Sequence, residues 1–561
     1  MKNPPLIPID PADPRLTLGH FLADVCARHG ERPALRFEGR DLSYAELEQQ
    51  VRALARALIG AGVVKGARVA LLMGSRPEWV VAAFAAGTVG AVLVPVNTFA
   101  TAEELDYILR HGDASLLLMQ PSLRGHAYLE ELLAAHPELA RGVPGRLRCA
   151  ALPQLRRVAC LGLAAARGGV EPWSELLGLG ADVSDALLDA VRAEVTPPDD
   201  GILIYTSGTT SKPKGVLHTQ RAAVLQSRRF TDIMRLTPDD RVYSSYPFFW
   251  TAGIAMSLGP TLEAGGCLLL QETFEAGAAL DLIERERATA VHAWPHQQKA
   301  LAEHETARDR DLSALRKIDF TSPLARLAGI EQDEYGTGAA YGLSETFTIA
   351  SMLRADAPAA LRRGSSGLPL PGTVVRIVDP VSGDPLPTGR EGEIAVKGVT
   401  LMRGYYKVLP ENALDENGFF RTQDGGVIDA DGHLHWKGRL SNLIKTGGAN
   451  VSPVEIEEAL HGYADLRVGL AVGVPHPTLG EAVVLCAVAR EGAVVEEDAV
   501  RRYLRSKLAA YKVPKRVLFF RADELSYTGN QKIQLGPLRE AALKRLASDG
   551  GEIDGHRYGA D

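Results

Sequence analysis

The stretch "YTSGTTSKPKG", Tyr205 to Gly215, gathers two glycines, five Ser or Thr hydroxyls and two lysines into eleven residues. Glycine lets a backbone approach closely, while exposed N–H groups and hydroxyls donate to anionic oxygens. Lys212 and Lys214 add positive charge, so the set suits a polyphosphate. The spacing is not that of a P-loop, which needs G-x-x-x-x-G-K-[ST] between a strand and a helix. Here Gly208 is followed seven residues later by Gly215, with no Lys-Ser/Thr pair behind it. A kinase glycine-rich loop does not fit either. The apolar "GILIY" ahead of the loop reads as a strand that would aim it. A solvated polar loop would explain the same residues taken alone, so both readings stand at this level.

Such a loop needs a scaffold. The 561 residues exceed what one hydrophobic core organises, so two or more domains are expected. With 46% hydrophobic and 23% charged residues the composition is that of a soluble globular protein. A net charge of −7 leaves no footprint for nucleic acid or an anionic membrane. The five cysteines are scattered and lack metal-ligand spacing, which argues against a disulfide framework or zinc site. The amino terminus carries prolines and acids where a signal peptide needs an apolar run. "WVVAAFAAGTVGAVLVPV", Trp79 to Val96, is read as a buried helix and strand split at Thr88 and Gly90, not as a membrane span. The expected location is cytoplasmic.

The first part of the chain alternates helix and strand patterns. "SYAE" at Ser43–Glu46 is a capping box, followed by Leu47, Val51, Leu54 and Leu58 at helical spacing. "RVALLM" and "AVLVPV" read as buried strands, and "TAEE" at Thr101–Glu104 starts another helix. This rhythm implies an α/β fold: a parallel sheet with helices on both faces. The basic segment 141–169 is expected to be a surface excursion. From about Gly364, "TVVRIVD", "GEIAVKG" and "GHLHWKG" predict a small antiparallel or barrel-like subdomain. After Arg439 a compact α+β unit follows, with Ser452 capping and Pro453 opening a helix.

The loop is accompanied by "YGLSET" (Tyr341–Thr346), "GEIAVKGVTLMRGYY", "GFFRTQDGGVIDADGHLHWKGR", "IKTGGANVSPVEIE", "YKVP" and "TGNQKIQ", in that order. Together they resemble the signatures of the adenylate-forming superfamily of acyl-CoA synthetases, luciferases and peptide-synthetase adenylation domains. The resemblance spans nearly the whole chain. It implies a large N-terminal AMP-binding domain over 1–438 with its barrel-like part at 364–438, a hinge at 439–442, and a small mobile C-terminal domain over 443–561.

The resemblance implies a two-step reaction. A carboxylate attacks the α-phosphate of ATP to give an acyl-adenylate and pyrophosphate, and CoA then displaces AMP. The expected ATP-binding residues are Thr206, Ser207, Gly208, Thr209, Thr210, Lys214, Tyr341, Gly342, Leu343, Thr346, Asp424 and Arg439. Tyr341 would stack on adenine, and Asp424 would accept from the ribose hydroxyls. Glu345, with Thr210, is the expected Mg2+ site, and Ser344 would contact the α-phosphate. Lys532 is the expected catalytic lysine carried in by the small domain. Lys445, Gly447 and Gly448 would line the CoA path, where a pantetheine arm needs room that a Cβ would take. Ser441 occupies the hinge position.

Some positions depart from the family pattern. Ser211, Gln423 and Gln531 stand where glycine is usual, and Trp250 stands where many relatives carry His. In "YPFFWTAG", Trp250 and Gly253 are assigned to the acid pocket, with Trp250 either an apolar gate or core packing. The neighbouring "FFWTAGIAM" and "FTIASM" are apolar and show no carboxylate to pair an amino-acid ammonium. The expected partners are therefore ATP, CoA and a hydrophobic acid: fatty, arylalkanoic or a steroid side chain. A homodimer is compatible with the chain but not specified by it. Two rivals stay open: an adenylate-forming enzyme with a non-CoA second step such as lactone formation, and a nucleotide-binding protein without catalysis.

Overall fold

The computed structural model describes residues 6, 9–206, 212–338, 340–440, 444–451, 453–525, 533 and 535–559. The Ser43–Glu46 capping box forms as its sequence predicts, with the Ser43 amide donating to the Glu46 carboxylate at 2.8 Å. It starts the helix Tyr44–Gly60, whose Leu47, Val51, Leu54 and Leu58 are buried. Thr101 and Glu104 open Ala102–His111 in the same way. The apolar run after Trp79 divides into the helix Pro77–Thr88 and the strand Val92–Pro95, joined through Gly90 at φ 72°. Among the described residues no helix is long and apolar enough to cross a membrane.

An eight-stranded sheet runs in the order Gly404–Tyr405, Lys214–Thr219, Asp200–Thr206, Val92–Pro95, Arg68–Leu72, Ala114–Met119, Arg157–Cys160, Val170–Pro172. From Asp200–Thr206 to Val170–Pro172 all neighbours are parallel, whereas the Lys214–Thr219 and Gly404–Tyr405 edge is antiparallel. A second sheet of five strands is parallel except for the hairpin Pro33–Phe37 with Arg40–Ser43. Helices fill the space between the sheets: Leu54, Trp79 and Phe230 pack in one core with Val69 and Ile204 of the first and Val242 and Leu268 of the second. Leu105, Ile108 and Leu129 cover the opposite face of the first sheet. Burial on both faces is why its strands read as unbroken apolar runs.

Segment 141–169 is not the surface excursion expected of it. Arg157–Cys160 pairs in parallel with Ala114–Met119, and Leu147, Cys149, Leu152 and Leu155 are buried against the sheet. Short apolar spacings between arginines carry no helical or strand period, so packing alone reveals this layer.

The expected barrel-like part is a four-stranded antiparallel half-barrel of Thr373–Val378, Gly392–Gly398, Phe420–Ile428 and Leu434–Arg439. In the small C-terminal domain, Leu466–His476 and Gly480–Ala489 form a long hairpin to which Arg516–Phe519 adds in parallel. Separate apolar clusters cover its two faces, one including Ile456, Val500 and Leu504, the other Leu538, Ala542 and Leu546. Pro453 opens the helix Pro453–Ala459 as expected; Ser452 lies outside the described residues. All five cysteines are unbridged and buried.

Candidate active site

The opening loop joins two antiparallel strands, with Thr206 paired to Lys214 and Tyr205 to Gly215. A hairpin, not a strand-to-helix turn, therefore presents it, which is the physical reason a P-loop spacing is missing. Ser207, Gly208, Thr209, Thr210 and Ser211 lie outside the described residues. At the loop's foot the Tyr205 hydroxyl meets His111 Nδ1 at 2.8 Å, and Lys214 Nζ sits 4.9 Å from the centre of the Tyr405 ring.

"YGLSET" lies beside this hairpin. Tyr341 ends the short strand Ala340–Tyr341, and Ser344–Thr346 makes one 3-10 turn. The backbone then takes left-handed conformations at Phe347 (φ 49°) and Thr348 (φ 88°), unusual for side chains of this kind. Buried neutral groups hold the turn. His218 Nε2 donates to the Ser344 carbonyl at 2.7 Å, and Gln226 Nε2 donates to the carbonyls of Phe347 at 3.0 Å and Ile349 at 2.7 Å. Burial pushes the His218 pKa down to about 4, so at neutral pH the ring is uncharged. Gly342 has no alternative here, because a Cβ would come within 1.9 Å of the Thr348 carbonyl oxygen. The Thr346 hydroxyl accepts from the Leu343 amide and donates to its carbonyl, both at 3.0 Å.

One carboxylate belongs to this turn and a second reaches Tyr341 just before it. Glu345 Oε1 accepts from the Tyr405 hydroxyl at 2.8 Å; burial and then the Glu345 charge raise the pKa of that phenol. Asp424, buried on Phe420–Ile428, accepts from the Tyr341 hydroxyl at 2.9 Å and stands opposite Arg439 in the ladder. Before it, Gln423 holds φ 59° and donates its amide to Glu393 Oε1 at 2.8 Å. The glycine-like geometry is thus kept by a residue with a Cβ. An oriented carboxylate such as Glu345 is of the kind that suits Mg2+, which takes one or two protein carboxylates and completes its shell with phosphate and water.

A cavity of about 690 Å³ is lined by Thr206, Tyr341 and Ser344 and also by the apolar surfaces of Tyr246, Ala252 and Met256. A second, of about 450 Å³, lies between the two domains beside Phe99, Gly447 and Leu479. Trp250, Trp294 and Tyr511 belong to both walls. Trp250 meets Tyr511 nearly edge-on with ring centres 6.2 Å apart, and Trp294 packs on Tyr246 at 4.4 Å. Gly447 (φ 55°) and Gly448 (φ 83°) close against the large domain, where a Cβ would reach His296 at 3.2 Å and Trp294 at 3.0 Å respectively. Lys445 lines the larger cavity with its ammonium 4.9 Å from the centre of the Trp436 ring. Gly253 has a packing reason of its own: a Cβ there would come within 2.2 Å of the Pro247 carbonyl oxygen. Lys532, Ser441 and the Arg439 side chain lie outside what is described.

Sequence reasoning assigned no role to His218, Gln226, Tyr405, Trp294 or Tyr511. Tyr405 and Tyr511 lie in the quoted signatures "GEIAVKGVTLMRGYY" and "YKVP", and His218 is a polar ring next to Val216 and Leu217 in the strand Lys214–Thr219.

The AMP-binding enzyme family model matches residues 22–406, and that of the AMP-binding enzyme C-terminal domain matches 455–532. A feruloyl-CoA synthase of an Amycolatopsis species is 34% identical over 90% of this chain and 95% of its own length. An indoleacetate–CoA ligase of Aromatoleum aromaticum is 31% identical over 92% and 96% respectively. Among solved structures, the amide bond synthetase McbA of Marinactinospora thermotolerans aligns with a TM-score of 0.74 at 28% identity, over 93% of this chain and 99% of that one.

Proposed function

Since this chain belongs to the AMP-binding enzyme family and is by type an ATP-dependent, AMP-forming CoA ligase, we propose that it activates a hydrophobic, ring-bearing carboxylic acid and passes the acyl group to CoA. The observation that carries the substrate class is the aromatic and apolar part of the larger cavity's lining. Tyr246, Trp250 and Trp294 offer flat apolar walls there, and Ala252 and Met256 leave width between them. The feruloyl and indoleacetate relatives are named for ring-bearing acids, in keeping with that lining.

In the first step a carboxylate oxygen bonds to the α-phosphorus and pyrophosphate leaves. Two anions must approach, so positive charge near the phosphates lowers the barrier. Lys214, Thr206 and residues 207–210 hold the phosphates, and Ser344 meets the α-phosphate. Glu345 with Thr210 would hold Mg2+, which would supply charge neutralisation between the reacting anions. Tyr341, followed by Gly342 and Leu343, stacks on adenine; Thr346 ties the turn; Asp424 and Arg439 take the ribose. Lys532 is carried in by the 443–561 domain, which turns about Ser441.

In the second step the CoA sulfur attacks the acyl carbonyl and AMP departs. The thiol arm passes Gly447 in the smaller cavity and Lys445 and Gly448 on the wall of the larger one, and Trp250, on both walls, stands between it and the acid. A second reading, transfer of the acyl group to a non-thiol acceptor, draws on the likeness to an amide bond synthetase.

Mass-spectrometric product detection with ATP, Mg2+ and a panel of aryl, indolyl, fatty and steroid side-chain acids, with and without CoA, tests both. Acyl-CoA and AMP from the ring-bearing acids is the expected result. Adenylate that accumulates equally with and without CoA would favour the second reading. Turnover confined to short or dicarboxylic acids would overturn the substrate class.

A further inference from the structure

Lys512 carries a charge almost out of water: its side chain is 3% exposed. The ammonium donates to Glu455 Oε1 at 2.6 Å and to Glu104 Oε1 at 2.7 Å. These carboxylates belong to different domains. Glu455 lies in the first turn of Pro453–Ala459, in the same domain as Lys512. Glu104 is the third residue of Ala102–His111 in the large domain, and its other oxygen accepts from the Thr101 amide at 2.9 Å to close the capping box. Next to Lys512, Tyr511 reaches Phe99 and Trp250 of the large domain, with ring centres 6.1 and 6.2 Å away.

The two ion pairs differ in one respect. If the small domain leaves this orientation, Lys512 and Glu455 travel together and keep each other, whereas Glu104 stays behind on a helix that its capping box still holds. The Glu104–Lys512 hydrogen bond therefore exists only while Gly447 and Gly448 face His296 and Trp294. An interaction present in one orientation and absent in another biases the equilibrium between them by its own free energy. Exposed ion pairs have little such influence, but this one is buried and charge-assisted.

We propose that Glu104 is a positioning residue for thioester formation: by accepting from Lys512 it holds the small domain against the large one in the orientation that lets the thiol in, and it has no part in adenylate formation. This rests on the reading above that the thiol passes Gly447 and Gly448.

The test uses the full-length enzyme and its Glu104→Gln variant, since glutamine also closes capping boxes and spares the helix. Single-turnover conversion of purified acyl-adenylate by CoA is measured beside ATP–pyrophosphate exchange. Loss of one charge-assisted hydrogen bond predicts thioester formation slower by about 10- to 150-fold, with exchange within about twofold. Glu104→Ala, which also removes the cap, should show the same split on a lower thermal midpoint. Equal losses in both half-reactions, or no loss in either, would overturn the proposal. Failure of the wild-type enzyme to convert adenylate with CoA would instead sink the thiol-path reading, whatever Glu104 does.

Discussion

Replacing Asp424 by asparagine should remove much of the enzyme's preference for a ribose hydroxyl while leaving its fold intact. Asp424 is 2% exposed and accepts from the Tyr341 hydroxyl at 2.9 Å, so its carboxylate is fixed in place before nucleotide arrives. A hydrogen bond to a charged acceptor contributes about 1.5–3 kcal/mol, and one between neutral groups about 0.5–1.5 kcal/mol. The wild-type enzyme should therefore use 2′-deoxy-ATP about 10- to 150-fold less well than ATP. Asparagine has nearly the same shape and can still accept from Tyr341, but it brings no charge. In the Asp424→Asn variant the penalty for 2′-deoxy-ATP should shrink to about 2- to 13-fold. The coupling between mutation and deoxygenation is then about 1–1.5 kcal/mol. Pyrophosphate exchange with both nucleotides and both proteins measures it as ratios of kcat/KM. Tyr341→Phe serves as a control that should weaken ATP use but preserve the discrimination. A variant that kept the full wild-type ratio would refute the assignment of Asp424 to the ribose.

Gln423→Gly should stabilise the protein by about 0.5–1 kcal/mol, because relief of the left-handed backbone outweighs the added freedom of the unfolded chain. The Gln423 side chain is exposed and its amide and carbonyl bonds survive the change; a lowered denaturation midpoint would contradict this. Stability should also fall on acidification. Burial holds the pKa of His218 and His292 down to about 4, so below the ordinary 6.5 the unfolded chain binds protons that the native rings refuse. Each costs about 1.4 kcal/mol per pH unit between those values, in the direction of lost stability as pH drops. Urea midpoints from pH 7 to 4.5 should show the slope, and His292→Gln should flatten it; a wild-type profile without slope would refute the cause.

Segments with a clear period were legible in the sequence. Leu47, Val51, Leu54 and Leu58 declared a helix face, and unbroken runs such as "RVALLM" declared strands covered on both sides. Glu345 and Asp424 were singled out because their neighbours form recognisable signatures. What packs behind them was not. Gln226 sits in an ordinary helix, Gln220–Ile233, and its hold on the turn after Thr346 arises only when chain separated by more than a hundred residues folds back. Glu104 looked like a helix cap and nothing more. Its second partner, Lys512, lies 408 residues away, and no local pattern encodes a contact between domains. Trp250 was visible as an unusual ring, but its place between two cavities depends on Tyr511 arriving from the other domain.

Burial of the cysteines has a practical consequence. None of the five is more than 3% exposed, and burial pushes the thiols of Cys26 and Cys486 up to about 12 and those of Cys160 and Cys267 up to about 11. Thiolate is the form that attacks a disulfide, so a folded molecule is close to silent toward a chromogenic disulfide reagent. Aliquots quenched into such a reagent would report the sulfhydryl of unspent CoA with almost no background. Adding denaturant to the same cuvette would release five further equivalents per chain, an internal count of how much enzyme had been folded.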